Sequence, residues 1–197
     1  MKAQSASLAA AAARLVVEEG MEYGLAKRKA ARALGSRAVL PSGEAVEAEV
    51  RAYLALYCAD TQPAELRALR QLALRWMLRL GAFRPHLSGA AWRGTATRLS
   101  SLHLDMYCDD LKSMEIELIN LGIAYDSVSL PGGHRGEPVN VLSIVDKCPE
   151  LGEAVTLHLA VLDLDDLRGA LKPDAQGRTW RGDASALRRR LDEELGA

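Results

Sequence analysis

The feature that most constrains the fold is a run of strict alternation between apolar and polar residues near the middle of the chain. Leu102, Leu104 and Met106 alternate there with His103 and Asp105. A period of two residues is typical of a strand that buries one face and leaves the other accessible. The sequence therefore predicts a half-buried strand with its polar side chains on the open face.

Two glycines precede this strand and follow a short extended piece that begins at Phe83. Glycines let backbone N–H groups approach an anion closely, and a helix N-terminus adds a favourable dipole. The order of strand, glycine turn, short helix and second strand therefore predicts either a phosphate-binding site or a hairpin-like piece of the core. The candidate phosphate-binding residues are Gly89, Ala90, Arg93, Gly94 and Thr95.

The same stretch resembles the signature of the DNA polymerase β-like nucleotidyltransferase superfamily. That signature reads Gly-Ser, then Arg-Gly, then Ser-Asp-x-Asp, and Gly89, Arg93, Gly94 and Ser100 match it in register. The wider sequence also resembles a small proteobacterial family of about this length, whose members usually read Gly-Thr-Ala and then Ser-Asp-Ile-His. The resemblance implies a nucleotidyltransferase-like fold that binds a nucleotide and, if active, uses Mg²⁺ with a nucleoside triphosphate.

The chain departs from the signature where the chemistry would be. The serine expected after Gly89 is Ala90, and the two expected aspartates are Ser101 and His103. Active members hold a pair of Mg²⁺ ions with such carboxylates, and Mg²⁺ favours oxygen ligands whereas imidazole suits softer metals. Asp105 shares the face of His103 but lies about 7 Å further along the strand. We therefore expect Asp105 to hold at most one ion, and catalysis to be degenerate.

Two further ligand sets remain open. The superfamily also uses a third carboxylate on a later strand, for which Asp146 and Asp163, both at predicted strand ends, are weak candidates. Alternatively, His103, Asp105 and His158 could converge as a zinc or similar site, because His and Asp are both zinc ligands. The competing interpretation is that each histidine is a hydrogen-bonded structural residue.

Composition fits an ordinary protein of one or two small domains. The 197 residues carry a formal charge of −1, with 26% charged residues, which argues against a general polyanion binder. Three widely spaced cysteines, in no Cys-x-x-Cys pair, fit a reducing compartment. No run approaches the roughly 18 apolar residues of a membrane span, and the N-terminus lacks a signal-peptide pattern. We therefore expect a cytoplasmic protein.

Residues 1–80 are predicted to form a bundle of four helices. The second helix carries a basic cluster of Lys27, Arg28, Lys29 and Arg32. This cluster could contact a nucleic acid backbone or a phosphate, or it could be a solvated helix face. Aromatic residues make up only 5% of the chain and none interrupts the cluster, so the sequence offers no base-stacking platform. The predicted helices run from Ser5 or Ser7 to Glu19, Tyr23 to Leu34, Glu44 to Cys58, and from Gln62 onward.

Residues 81–172 are predicted to form a nucleotidyltransferase-like domain, followed by a loop and a C-terminal helix over 173–197. Helices and strands mix here, which suits a small mixed sheet with helices on one face and an α+β fold overall. The glycine-rich loop at 131–136 could cover a ligand or could be a plain hairpin loop. The predicted elements are a helix over Leu111–Leu121, strands over Ile123–Leu130, Val139–Val145 and Val155–Asp163, a short helix from Asp165 to Leu171, a loop over Lys172–Gly182, and a helix from Asp183.

Three functional hypotheses follow, and we favour the first. It describes a nucleotidyltransferase fold without catalysis that binds a nucleotide or a partner protein, with no certain cofactor and no nucleic acid or membrane partner. The second describes an active transferase that passes a nucleoside monophosphate to an acceptor, with a metal held by His103 and Asp105 and Asp109 as an additional ligand. The third makes the helical half a nucleic-acid- or protein-binding module.

Overall fold

The computed structural model describes residues 2–35, 39–131, 138–174 and 177–196. Within these ranges the chain has four N-terminal helices, then a mixed six-stranded sheet with four further α-helices, which confirms the predicted α+β class. The chain divides into two compact units. Unit 1 comprises Met1–Leu66 and Thr95–Ser100, and unit 2 comprises Arg67–Gly94 and Ser101–Ala197. The boundary predicted at residue 80 therefore falls within unit 2.

Unit 1 is built around α1 (Lys2–Glu19). This helix buries two rows of small and apolar side chains spaced four residues apart, so that both rows lie on one side of the helix. Ala26 and Ala30 of α2 (Tyr23–Ala33) and the stripe of α3 (Gly43–Tyr57) belong to the same core. The rows of α1 are Leu8, Ala12 and Val16, and Ala9, Ala13 and Val17; the α3 stripe is Val46, Val50 and Leu54.

Two details of unit 1 differ from the sequence prediction. Helix α1 begins at Lys2, before the serines expected to cap it. Tyr57, expected in the apolar stripe of α3, is the last residue of the helix and is 66% exposed. Two residues of the basic cluster of α2 contact other parts of the protein. Lys29 Nζ forms an ion pair with Glu19, and Lys27 Nζ donates to the Pro41 carbonyl.

In unit 2 the six strands of the described chain lie in the order β3-β4-β5-β2-β1-β6. The pair β2 and β5 is parallel and every other neighbouring pair is antiparallel. The mixed sheet expected from the order of elements is therefore present. The strands are β1 (His86–Ser88), β2 (Leu102–Cys108), β3 (Asp126–Leu130), β4 (Val139–Cys148), β5 (Glu153–Asp163) and β6 (Arg181–Gly182).

The two faces of the sheet have different coverings. Leu102, Leu104 and Met106 are fully buried on one face, as their alternation predicted. Helix α4 (Gln62–Arg79), whose residues from 67 onward belong to unit 2, reaches this helix-covered face: Trp76 Nε1 donates to Asp146 Oδ2 at 2.8 Å. The opposite, open face carries the polar residues of β2.

The remaining helices of unit 2 are short. They are α5 (Gly89–Arg93), α6 (Ser113–Asn120), α7 (Leu167–Ala170) and α8 (Ala184–Glu193), with 3-10 turns over Gly81–Phe83 and Leu164–Asp166. Helix α6 begins later than predicted, because the Asp110 carboxylate accepts from the Lys112 N–H and holds a turn before the helix. The glycine-rich loop lies, apart from Pro131, outside the described residues.

Strand β6 was not predicted, and Trp92 of α5 packs closely against it. The buried Trp92 indole donates from Nε1 to the Thr179 carbonyl at 2.9 Å, and the Arg190 guanidinium of α8 lies 3.6 Å from the ring centre. A Cβ placed on Gly182 would lie only 2.0 Å from Trp92 Cη2. The glycine therefore lets β6 pass against the indole, which sets the position of the neighbouring Arg181.

Candidate functional site

A single polar row crosses the open face of the sheet in unit 2. Arg181 pairs with Ser88, Ser88 with His103, and His103 with His158 in the strand register. The row continues from His158 to Ser143 of β4 and from there to Asp126 of β3. Because neighbours in register project to the same side, each of the six described strands contributes one polar side chain to this row.

The two histidines of the row contact each other. The ring centres of His103 and His158 lie 5.1 Å apart, with their planes tilted by 34°. His158 Nδ1 lies 2.9 Å from Ser143 Oγ, so the serine orients that imidazole. The sheet therefore brings His103 and His158 together, which the sequence analysis gave as one of two alternatives.

Gly89 lies directly against His103. It adopts a φ of +67°, and a Cβ built there would lie 3.2 Å from His103 Cδ2. A glycine at this position therefore both permits the left-handed turn that begins α5 and leaves room for the imidazole. The observed order β1, α5, β2 is the strand, turn, short helix and strand that the sequence predicted.

Asp105 lies two residues further along the same face and is held by an arginine. Its Oδ2 lies 2.8 Å from Arg181 Nη1, and the two side chains are only 13% and 30% exposed. The same Arg181 nitrogen donates to the Tyr107 hydroxyl at 2.7 Å. Ser88 Oγ makes a longer contact of 3.4 Å with Asp105 Oδ1. The predicted catalytic acid is therefore part of an Asp–Arg–Tyr cluster.

Burial dominates the electrostatics of this cluster. It raises the pKa of the Asp105 carboxyl, although the Arg181 charge and the two nearby imidazoles of His103 and His86 oppose the shift. Burial also raises the pKa of Tyr107, and the Asp105 charge adds to that effect. Arg181 loses hydration as well, but the Asp105 and Tyr107 charges more than compensate, so its pKa lies above the ordinary value. The geometry and the Arg181 shift both support a charged Asp105–Arg181 pair.

The cluster forms the floor of an open cleft of about 590 Å³. Apolar residues of β4 and β5 form one wall, and Asp165 and Asp166 stand beside it at the turn before α7. This volume lies within the range of small-molecule sites, which is about 300–1,000 Å³. The apolar wall consists of Val139, Ala160 and Leu162.

The predicted phosphate-binding residues are divided between the two compact units. Gly89, Ala90 and Arg93 belong to α5 in unit 2, and Gly94 ends that helix with a φ of +85°. Thr95 belongs to unit 1, where its buried hydroxyl lies 3.5 Å from the Tyr23 hydroxyl. The Arg93 guanidinium lies 5.8 Å from the Trp180 ring centre. Phosphate binding by Gly89, Ala90, Arg93, Gly94 and Thr95 stays a prediction.

The structure gives the positions of the residues that were considered as metal ligands. Ser101 precedes β2, and Asp109 follows it in an exposed bend. No group of three or more His, Cys, Asp or Glu side chains in the described ranges is arranged to hold a metal ion. The two weak candidates for the third carboxylate, Asp146 and Asp163, lie on the helix-covered face by strand alternation. Asp146 accepts the Trp76 bond, and Asp163 accepts from the Asp165 N–H at 2.8 Å.

The sequence did not identify Arg181 and Tyr107 as site residues. Arg181 lay inside a predicted loop, and a strand of two residues has no period that could reveal it. Tyr107 continues the alternation on the same face as His103 and Asp105, so that signal was available. Asp165 and Asp166 were recognised only as a helix start.

No family model matches the chain, and no curated protein matches it. Among solved structures, the chain is similar to Cid1 in complex with the UTP analog UMPNPP, with a TM-score of 0.36 and 14% identity. The match covers 58% of this chain and 36% of that chain, so the chain spans about a third of that protein's length. A likeness at this level assigns no function. No helix in the described ranges is long and apolar enough to cross a membrane.

Proposed function

We propose that this chain is a nucleotidyltransferase-fold protein that has lost the two-metal catalytic centre and acts as a nucleotide- or partner-binding module. The observation that carries the proposal is the ion pair between Asp105 and Arg181 on the strand where the superfamily resemblance implies metal-binding aspartates. The Arg181 guanidinium is already paired with the Asp105 carboxylate that a metal ion would need.

The electrostatics of this strand disfavour a pair of magnesium ions. Two Mg²⁺ ions need several carboxylate oxygens, whereas the expected aspartate positions hold the hydroxyl of Ser101 and the imidazole of His103. Asp105 supplies one carboxylate, and its Oδ2 already bonds to Arg181. A magnesium ion at Asp105 would have to displace Arg181 or remain beside its positive charge. Loss of the metal pair therefore fits both the sequence and the contacts.

Ligand binding survives such a loss more readily than catalysis does. The cleft above Asp105 is large enough for a nucleotide-sized molecule and has a guanidinium and a phenol at its floor. The Arg181 side chain is 30% exposed and lines the cleft, so its guanidinium can donate to a ligand that accepts hydrogen bonds. Phosphate and nucleobase oxygens are such acceptors.

Calorimetric titration of the four common nucleoside triphosphates, in Mg²⁺ and again in EDTA, tests this proposal. The expected result is binding with the same affinity in both buffers, weakened at least tenfold by Arg181→Met. The matched control is Arg178→Met, which removes an exposed arginine of the same unit whose side chain lies outside the cleft.

Two outcomes would overturn parts of the proposal. Binding that requires Mg²⁺ would show a working ion site and would favour the active-transferase hypothesis. No binding in either buffer would remove the nucleotide from the proposal and direct the search to protein partners.

A further inference from the structure

We infer that His103 and His158 form a two-imidazole binding site for a borderline divalent cation, such as Zn²⁺, Ni²⁺ or Cu²⁺. This site differs from a magnesium centre in both ligand type and residues, and it does not depend on nucleotide binding. Three features support it: the separation of the rings, the hydrogen bond that orients one ring, and the chemistry of the donor set.

The separation of the rings matches a shared metal ion. His103 and His158 are directly opposite each other on the parallel strands β2 and β5, and their ring centres are 5.1 Å apart. Two imidazoles on one tetrahedral zinc ion, with Zn–N bonds of about 2.0–2.1 Å, have ring centres about 5 Å apart. The backbone register therefore holds the two ring centres at a separation that a shared tetrahedral ion would require.

The surroundings of both rings favour a fixed orientation. His158 Nδ1 lies 2.9 Å from Ser143 Oγ, and a metal ion bound through Nε2 of that ring would leave this contact intact. A hydrogen bond to the other ring nitrogen is the usual support of a metal-binding histidine, because it fixes the tautomer and orients the ring. The His103 ring is bounded on its Cδ2 edge by Gly89 and on another side by His158.

The donor set selects the class of ion. Imidazole nitrogens suit Zn²⁺, Ni²⁺ and Cu²⁺, whereas Mg²⁺ and Ca²⁺ prefer oxygen ligands. Asp105, expected from the sequence to share the ion with His103, is instead bound to Arg181, so His158 replaces it as the second ligand. No third such side chain completes a site within the described ranges. The remaining coordination positions therefore belong to water or to a bound molecule.

Titration of the metal-stripped 197-residue chain with Ni²⁺, followed by calorimetry, tests the inference. The wild-type protein should bind one equivalent, and His103→Asn or His158→Asn should each weaken binding at least tenfold. Ser143→Ala should weaken it about tenfold, because loss of such supporting groups typically costs about 10- to 100-fold in metal affinity. His134→Asn, which removes a histidine outside the proposed pair, is the matched control and should bind as the wild type does.

Electron paramagnetic resonance of the wild-type protein with one equivalent of Cu²⁺ supplies a readout that needs no variant. The expected spectrum shows hyperfine coupling to two imidazole nitrogens. Absence of nickel binding, nickel binding that survives both histidine substitutions, or a copper spectrum without imidazole coupling would each overturn the inference. Far-UV circular dichroism of the variants shows whether a loss of binding reflects unfolding.

Discussion

Arg181 Nη1 lies 2.8 Å from Asp105 Oδ2, and this contact joins the shortest strand of the sheet to the strand that defines the fold. It converts an acid at a position suited to metal binding into one half of a largely buried ion pair. Asp105 therefore contributes to the structure of the open face, and the chemistry of that face depends on an arginine that the sequence did not reveal.

Removal of Arg181 should destabilise unit 2. Arg181→Met leaves the Asp105 carboxylate buried without its counter-charge, which typically costs about 3–5 kcal/mol for a fully buried pair. Because the Arg181 side chain is 30% exposed, we expect a smaller loss of about 2–3 kcal/mol in the free energy of unfolding. Urea denaturation followed by fluorescence measures it. The double variant Asp105→Asn/Arg181→Met should be less destabilised than the sum of the single variants; additive effects would contradict the pairing.

Gly89 should be sensitive to substitution for two separable reasons. Gly89→Ala forces a side chain into a φ of +67° and places Cβ 3.2 Å from His103 Cδ2. Gly122 has a φ of +65°, but a Cβ at that position would have nothing within 4 Å, so Gly122→Ala carries the conformational cost alone. That cost is about 1–2 kcal/mol for each variant.

The difference between the two alanine variants isolates the contact with His103. We expect Gly89→Ala to be the more destabilising and to weaken Ni²⁺ binding, whereas Gly122→Ala should leave Ni²⁺ binding unchanged. Equal effects of both variants on Ni²⁺ affinity would show that Gly89 does not shape the histidine pair.

Because β6 lies close to Trp92, we expect that no side chain larger than that of glycine fits at position 182. Gly182→Ala would place Cβ 2.0 Å from Trp92 Cη2, and overpacking of this kind costs about 1–3 kcal/mol. Gly81→Ala is the control, because nothing lies within 4 Å of a Cβ there and its φ is not positive. Thermal unfolding should show a lower melting temperature for the first variant only. An unchanged melting temperature in Gly182→Ala would mean that β6 does not pack against the indole.

Asp146 should contribute to the stability of unit 2 but not to ligand binding on the open face. Asp146→Ala removes the acceptor of the 2.8 Å bond from Trp76 Nε1 and leaves a buried donor unsatisfied, which costs about 1–3 kcal/mol. Since Asp146 lies on the helix-covered face, nucleotide and Ni²⁺ affinities should stay at wild-type values. A selective loss of nucleotide affinity, with stability retained, would instead make Asp146 the missing carboxylate.

The sequence predicted local elements well because their signals are local. The alternation through Leu102, Leu104 and Met106 identified β2 and its buried face, and the glycine at 89 identified the turn into α5. The contacts that define the site are not local. The pairing of His103 with His158 depends on the register of two parallel strands, and Arg181 reaches Asp105 from a strand too short to show a period.

Sequence spacing also could not assign side chains to faces across strands. Asp146 and Asp163 were acids at plausible strand ends, yet the register directs both to the face opposite Asp105. Thr95 follows Gly94 directly in the sequence but belongs to the other compact unit. The pairing of strands, which the sequence did not show, determined which strand side chains share the open face.

Release of pyrophosphate from nucleoside triphosphates tests the central claim most directly. The assay compares wild type with Asp105→Asn in the presence of Mg²⁺ and a mixture of the four common triphosphates. Because Asp105 is bound to Arg181 and Ser101 and His103 stand at the two expected aspartate positions, we predict that wild type releases no more pyrophosphate than the variant. Release that depends on Mg²⁺ and disappears in Asp105→Asn would show that a catalytic centre survives and would contradict the account.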